Sequence, residues 1–363
     1  ITLLAASPAP TLAPFHDRLL GWFDVHGRKD LPWQHDVAPY HVWLSEIMLQ
    51  QTQVTTVIDY YTRFIKHYGD ITALANASLD DVLALWTGLG YYARARNLHK
   101  AANIMLQQYQ GKMPDTLDEL IALPGVGRST AGAIMALAHQ QNYPILDGNV
   151  KRVLARYAAI PGWPGQKPVE QQLWQLAEGL LPETRISNYI QAQMDLGATI
   201  CKRNKPLCQH CPLQDDCSAF QSGTTQDYPG SKPKKVIPIR QTHWLVAWSD
   251  NGFILLEQRP NNGIWGGLWS FPEFENASEL TQFSQQNFDA NNDNIQPQTS
   301  IRHVFTHFKL DIFPYLVHSS EYSQQIDNNK TFCWYTMSDA LRLGLPAPVK
   351  AFLMLLESMK DTT

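Results

Sequence analysis

Four of the five cysteines in this 363-residue chain fall within seventeen positions, at Cys201, Cys208, Cys211 and Cys217, with the spacing Cys-x6-Cys-x2-Cys-x5-Cys. In a cytosolic chain, four thiols this close together point to a metal centre rather than to disulfides, because four thiolates can converge on one site. Zinc and an iron-sulfur cluster are both satisfied by four sulfur ligands. Zinc modules commonly pair two Cys-x2-4-Cys arms, whereas here only Cys208 and Cys211 form one, which tilts the choice toward iron-sulfur. Cys333 stands apart and reads as a core residue of a strand.

A second constellation is LPGVGRSTAGAI, residues 123 to 134, set between the helical stretch LDELIAL and a helix rich in small residues. Gly125 and Gly127 permit a tight turn at positive φ, and the turn opens a new helix whose free N–H groups can face an anion. Helix, Gly-Val-Gly turn, helix is the form of a helix-hairpin-helix, a sequence-independent clamp on the DNA backbone. The bland alternative is an ordinary αα-hairpin.

With these residues in view the chain resembles the helix-hairpin-helix DNA glycosylase superfamily, whose second signature is an Asp about twenty residues after the hairpin. ILDGNVKRVLAR places Asp147 there. The cysteine spacing is similar to the 4Fe-4S pattern of the endonuclease III branch, so the resemblance implies one 4Fe-4S cluster and sets zinc aside. SEIMLQQTQV resembles the adenine DNA glycosylases of the MutY type, as do LPW at 31 to 33, GLGYYARARNL at 88 to 98 and WGGLW in the C-terminal part. Bifunctional members carry a Lys in the second hairpin helix that attacks the sugar and cuts the strand through an imine. The matching residue here is Ser129, which implies base removal without strong intrinsic strand cleavage. The resemblance further implies base-stack insertion by Gln51 and Tyr91, with DNA contact also at Thr52. Trp33 is placed beside the extruded adenine, and Gln191 is a further pocket contact. The implied partner is duplex DNA with adenine opposite 8-oxoguanine or guanine. The implied enzyme is a bacterial, monomeric hydrolase of N-glycosyl bonds, nucleoid-associated, with repair or replication partners reached through its linker.

The chemistry can be argued from the residues as well. Cleaving an adenine N-glycosidic bond needs a protonated leaving group and a stabilised oxocarbenium-like sugar, so an acid and a carboxylate must occupy different electrostatic environments. In a helix over 42 to 53 the neighbours of Glu46 are Val42, Trp43, Leu49 and Gln50, and desolvation should raise its pKa. Glu46 therefore suits the acid. Asp147, beside Gly148 at a helix start, suits the carboxylate and can also serve as an N-cap. Asn149 is expected to position Asp147 and the attacking water.

The elements that must hold these groups divide in two. Helical periodicity dominates to about residue 200, giving an all-α catalytic domain over 15–222 after a flexible tail at 1–14, with the hairpin at 117–138 and the cluster loop at 201–217. GTTQDYPGSKPKKVIPIRQ, 223–241, is rich in Gly, Pro, Ser and Lys and reads as an interdomain linker. Beyond it, short β-branched and aromatic runs with helical pieces near 278–286 and 346–357 describe an α+β domain over 242–363, with a loop at 287–300. In the MutY type this domain is Nudix-like and checks for 8-oxoguanine with a Phe-Ser-His loop, which here reads Phe305-Thr306-His307. Thr keeps the hydroxyl and adds a methyl group.

An active Nudix hydrolase would need a Glu-dense metal-binding helix. ENASELTQFSQQNF offers Glu275 and Glu279 without a Glu-Glu pair, so damage recognition is the reading kept. Two whole-chain rivals are a bifunctional endonuclease III relative, opposed by Ser129, Glu46 and the extra domain, and a catalytically silent DNA-binding module, disfavoured by the Glu46 and Asp147 pair.

Composition agrees with this division. With 44% hydrophobic and 17% charged residues the chain can bury cores, and it lacks a membrane-length apolar run. No basic signal-peptide start is seen, so a cytoplasmic location is expected. The net charge of −4 speaks against DNA only as an average, since residues 1–235 carry 21 basic against 20 acidic groups and residues 236–363 carry 8 against 13. Eight basic residues against four acidic ones over 85–160 suggest a locally basic face.

Overall fold

The computed structural model describes residues 12–233, 236–288, 294–319 and 332–360. Most of the expected tail, residues 1–11, therefore lies outside the described residues. The helices in chain order are α1 (Phe15–His26), α2 (Pro32–His35), α3 (Pro39–Leu49), α4 (Val54–His67), α5 (Ile71–Asn76), α6 (Leu79–Trp86) and α7 (Ala93–Tyr109). They continue with α8 (Leu117–Ala122), α9 (Arg128–Leu137), α10 (Gly148–Tyr157), α11 (Lys167–Gly179), α12 (Ile186–Thr199) and α13 (Ser218–Gln221). Then come β1 (Ile239–Ser249), β2 (Phe253–Gln258), β3 (Trp269–Ser270), β4 (Glu273–Phe274), α14 (Ala277–Phe288), β5 (Ile295–Pro297), β6 (Ile301–Val304), β7 (Lys309–Ser319), β8 (Phe332–Thr336), α15 (Met337–Ala340) and α16 (Ala347–Lys360). No helix among the described residues is long and apolar enough to cross a membrane.

The chain forms two compact units, 1–65 with 104–233 and 66–103 with 234–363. In the first, α1 repeats apolar residues every three or four positions, and that face is buried as Phe15, Leu19, Leu20 and Phe23. These join Val150, Val153 and Leu154 of α10 and Tyr189, Ile190 and Leu196 of α12 in one core. Asp147, at the head of α10, is thus carried on a helix anchored in this apolar mass.

In the second unit the sheet runs β3-β2-β1-β7-β5, with β4 on β1, β6 on β7 and β8 on β2. Its spine is the parallel pair β1 and β7, in register from Ile239 opposite Lys309 to Ser249 opposite Ser319. Leu245, Ala247, Leu255, Val317 and Trp334 form its core with Leu280 and Phe288 of α14. The helical piece 66–103 is tied into this unit. Gln258 Nε2 donates to Asp80 (2.7 Å), Arg96 Nη1 to the Gly266 carbonyl (2.7 Å) and the Tyr92 hydroxyl to the Leu345 carbonyl (3.0 Å).

Several local expectations are corrected. The helix expected over 42–53 ends at Leu49, because Gln51 turns into the left-handed region at φ 58 and a new helix starts at Val54. The loop expected at 287–300 begins inside α14 and contains β5, whose Ile295 is in register with Val317. The stretch read as a linker is fastened over part of its length. Arg156 Nε donates to the Thr225 and Tyr228 carbonyls (2.9 Å each), and Gly230 N–H donates to the Gly162 carbonyl (2.9 Å). β1 already begins at Ile239. Cys333 is in a strand, as expected, but is exposed rather than core, since its neighbour Trp334 takes the inward side of β8.

Candidate active site and cysteine module

Glu46 sits in the last turns of α3 among Val42, Trp43, Leu44, Ile47 and Met48, all buried. The carboxyl accepts no hydrogen bond from any described residue. Burial, and secondarily the nearby charge of Asp147, push its pKa up to about 8. The electrostatic coupling brings the two predicted carboxyls into one site. α3 is also tied to the hairpin, where Gln50 Nε2 donates to Thr130 Oγ1 (3.5 Å).

Asp147 is in a different setting. It is the N-cap of α10, where its Oδ1 accepts the Val150 N–H at 2.7 Å and its Oδ2 accepts Asn149 Nδ2 at 3.3 Å. Burial raises its pKa, and the Val150 and Asn149 hydrogen bonds and the Arg152 charge oppose that rise. Two carboxyls in one site are thus separated by hydrogen bonding: one bare, one partnered at the positive end of a helix.

The hairpin positions Asp147 from below. α8 and α9 flank a turn in which Gly125 takes φ 81. Gly127 does not share the expected positive φ. At φ −95 and ψ 172 it is the N-cap of α9, a role that requires extended geometry. A Cβ there would meet nothing within 4 Å, so the first-turn N–H groups are open to approach. Ser129 in that turn accepts the Leu146 N–H on Oγ (3.0 Å), holding the segment that delivers Asp147.

The four clustered cysteines line a single cavity with Val153, Leu196, Leu213 and Phe220. Its roof is α10: Arg156 Nη1 lies 3.4 Å from Cys201 Sγ and donates to the Lys202 carbonyl (2.7 Å), and Nη2 donates to the Arg203 carbonyl (3.1 Å). The backbone of the loop is pinned while Lys202, Arg203 and Lys205 stay exposed. One turn earlier, Arg152 donates to Asn149 Oδ1 (2.9 Å) and to the Gly197 and Cys201 carbonyls (2.7 Å each). Gly197 is required by close approach, because a Cβ there would lie 2.6 Å from Asn149 Cβ. α10 therefore carries Asp147 at one end and the cysteine module along its side. Among the described residues no three His, Cys, Asp or Glu groups are placed to hold a single metal ion.

Trp33 and Gln191 share a second cavity, with Arg28, Lys29, Gln34 and Ser45 also on its wall. Gln51 and Tyr91 are both exposed and both at positive φ, 58 and 50, an unusual conformation for large side chains. Thr52 follows Gln51 in the same bend, its N–H donating to the Leu49 carbonyl (3.2 Å). In the second unit, Phe305, Thr306 and His307 form the turn between β6 and β7. Phe305 stacks on Phe308 (centroids 4.4 Å), and the other two side chains are exposed.

Residues 44–178 match the HhH-GPD superfamily of base excision DNA repair proteins, and residues 243–355 match the NUDIX domain. An adenine DNA glycosylase of Buchnera aphidicola from Schizaphis graminum is 40% identical over 346 residues, covering 94% of this chain and 99% of the relative. The chain belongs to the adenine DNA glycosylase family. The Homo sapiens adenine DNA glycosylase is 36% identical over 82% of this chain and 65% of its own length. Among solved structures, a thermostable thymine-DNA glycosylase matches at TM-score 0.52 and 28% identity, covering 57% of this chain and 95% of that one. The chain is accordingly a base-excision DNA glycosylase with a helical helix-hairpin-helix part and a Nudix-like α+β part.

Sequence reading of this glycosylase misses the internal pairing of Arg152, Arg156 and Asp195. Arg152 and Arg156 show one signal, an i,i+4 basic pair on the helix that follows the Asp motif. Asp195, fully buried, is a lone acid in the apolar helix IQAQMDLGAT. The basic face expected over 85–160 is largely consumed internally. Arg94 is buried, Arg128 pairs with Glu178 and lies over Trp174 (4.0 Å), and Lys151 pairs with Glu170 (2.6 Å).

Proposed function

We propose that this glycosylase removes adenine lying opposite 8-oxoguanine, and opposite guanine, from duplex DNA, leaving the strand uncut. The observation that carries the reading is the unequal setting of the two coupled carboxyls. The target base must leave the stack, and Gln51 and Tyr91, each exposed and left-handed, suit residues that fill its place, with Thr52 next to Gln51 in the same bend. The cavity of Trp33 and Gln191 receives the base. Glu46, half-buried among apolar neighbours and bare of hydrogen bonds from the described residues, is protonated at neutral pH and gives its proton to adenine N7. The C1′–N9 bond breaks with its electron pair going to the base. Asp147, whose carboxylate form is favoured by its N-cap and Asn149 contacts against the effect of burial, stabilises or transiently bonds the sugar cation until water adds its oxygen to C1′, freeing Asp147 and passing its proton to the Glu46 carboxylate. Asn149 orients both. Ser129 offers no amine, and its hydroxyl is occupied by Leu146 N–H, which supports base removal alone.

Backbone N–H groups at Gly125 and at Gly127 to Ser129 and the exposed Lys202, Arg203 and Lys205 suit phosphate contacts. The turn of Phe305, Thr306 and His307 suits recognition of the opposite 8-oxoguanine. The donor set of Cys201, Cys208, Cys211 and Cys217 around one apolar-walled cavity, with Arg156 against the Cys201 sulfur, fits a 4Fe-4S cluster. Such a cluster would supply structural cross-linking of the loop. Replacing Cys208 or Cys211 by Ser is expected to lower bound iron and sulfide and to reduce Tm by several degrees; full iron content in both variants would remove the assignment.

The deciding measurement of function is single-turnover adenine release from duplexes with adenine opposite 8-oxoguanine, guanine and thymine. Release is expected in the order 8-oxoguanine, guanine, thymine, and none opposite 8-oxoguanine overturns the proposal. Trapping with borohydride separates the bifunctional alternative, which needs an imine.

A further inference from the structure

Asp195 is fully buried on α12 and holds more hydrogen bonds than a helix residue needs. Its Oδ2 accepts the Arg28 backbone N–H (2.7 Å), while Oδ1 accepts Arg28 Nε (3.0 Å) and Nη2 (2.7 Å). The same Oδ1 accepts Gln191 Nε2 at 2.9 Å. A carboxylate paired with arginine can only accept, so it determines which end of the Gln191 amide faces it. The NH2 end must point to Asp195. The carbonyl end, Oε1, is left without a hydrogen bond from any described residue, and Gln191 lines the cavity that also holds Trp33.

We infer that Asp195 is a positioning residue for base selection: it locks Gln191 so that Oε1 presents an acceptor to the exocyclic amine at position 6 of the extruded purine. This rests on the proposal that the cavity receives adenine. Adenine offers a donor at position 6, whereas guanine and hypoxanthine offer an acceptor, which would set two lone pairs against each other in a partly dry site. Arg28 contributes by gripping both Asp195 oxygens through its backbone N–H and guanidinium, which fixes the carboxylate in place beside Gln191. Without the lock, the Gln191 amide can turn over and serve either kind of base.

The test uses the full-length protein and single-turnover base release from two duplexes that differ only in the target, adenine or hypoxanthine, each opposite 8-oxoguanine. The wild-type protein should prefer adenine by at least about tenfold. Asp195→Asn should lower that preference about tenfold, because an amide no longer dictates the orientation of Gln191. Where loss of the Arg28 partner unfolds that variant, Gln191→Leu keeps the Asp195 and Arg28 pair and should lower the preference by a similar factor. An equal slowing on both bases with the ratio unchanged, in either folded variant, overturns the inference and leaves the adenine reading standing. A wild-type protein indifferent to the two bases overturns it as well. Failure of the wild-type protein to release adenine from any duplex would instead strike the underlying functional proposal.

Discussion

Glu46→Gln is expected to slow adenine release by about 10³-fold in a single turnover while making the protein more stable at pH 7 and above. The loss follows from the proton: the amide has the shape of the neutral acid but nothing to transfer to N7. The gain follows from burial. The Glu46 carboxyl rises from its ordinary 4.5 to about 8 in the folded protein. Between these values the folded state takes up a proton that the unfolded chain does not hold. Stability is therefore complete below the lower value, declines as pH rises, and is lowest above the upper one. At about 1.4 kcal/mol per pH unit, the cost by pH 7 is on the order of 3 kcal/mol, which the uncharged amide avoids. Thermal melts of the two proteins should converge below pH 5 and separate toward pH 8. The wild-type rate, measured on bound substrate, should fall as pH passes about 8 and Glu46 loses its proton. A variant with wild-type turnover, or an unchanged rate from pH 7 to 9, would remove Glu46 from the acid role.

This pairing of lost activity with gained stability belongs to a site whose acid is kept where a charge is unwelcome. Such a residue can be seen in sequence because the pattern around it is local. Val42, Trp43 and Leu49 declare an apolar setting, and the cysteine spacing and the Asp after the hairpin are likewise short-range. Other features depend on distant partners. Arg128 looks like a free cation until Glu178, fifty residues on, is brought to it. Asp195 meets Arg28 across 167 residues, and no local pattern announces that pair. The break at Gln51 is hidden for another reason: QQTQ contains neither Gly nor Pro, and a left-handed glutamine has no compositional mark. The assignment of 66–103 to the second unit is equally opaque, since α5, α6 and α7 have the same periodicity as helices of the first. What fastens them are single side-chain to backbone bonds such as Arg96 to Gly266 and Tyr92 to Leu345.

Asp147→Asn separates chemistry from architecture, because asparagine caps helices about as well as aspartate. The Val150 N–H keeps an acceptor at the head of α10, and Arg152 and Arg156 still bind that helix to the cysteine loop. Tm and iron content should therefore stay close to wild type. Adenine release should nevertheless fall by about 10²- to 10⁴-fold, since a neutral amide neither balances the developing sugar cation nor bonds to it. Asp147→Ala removes the cap as well and should cost about 1 kcal/mol of stability beyond the same loss of rate. Burial raises the Asp147 pKa against its hydrogen bonds. The wild-type rate should therefore climb with pH through a limb lying above the ordinary aspartate value of 3.8, and that limb should vanish in Asp147→Asn. If Asp147→Asn turns over normally, the carboxylate is only a cap. If the two variants lose rate in step with stability, the defect is architectural, and the sugar cation must be stabilised by other groups.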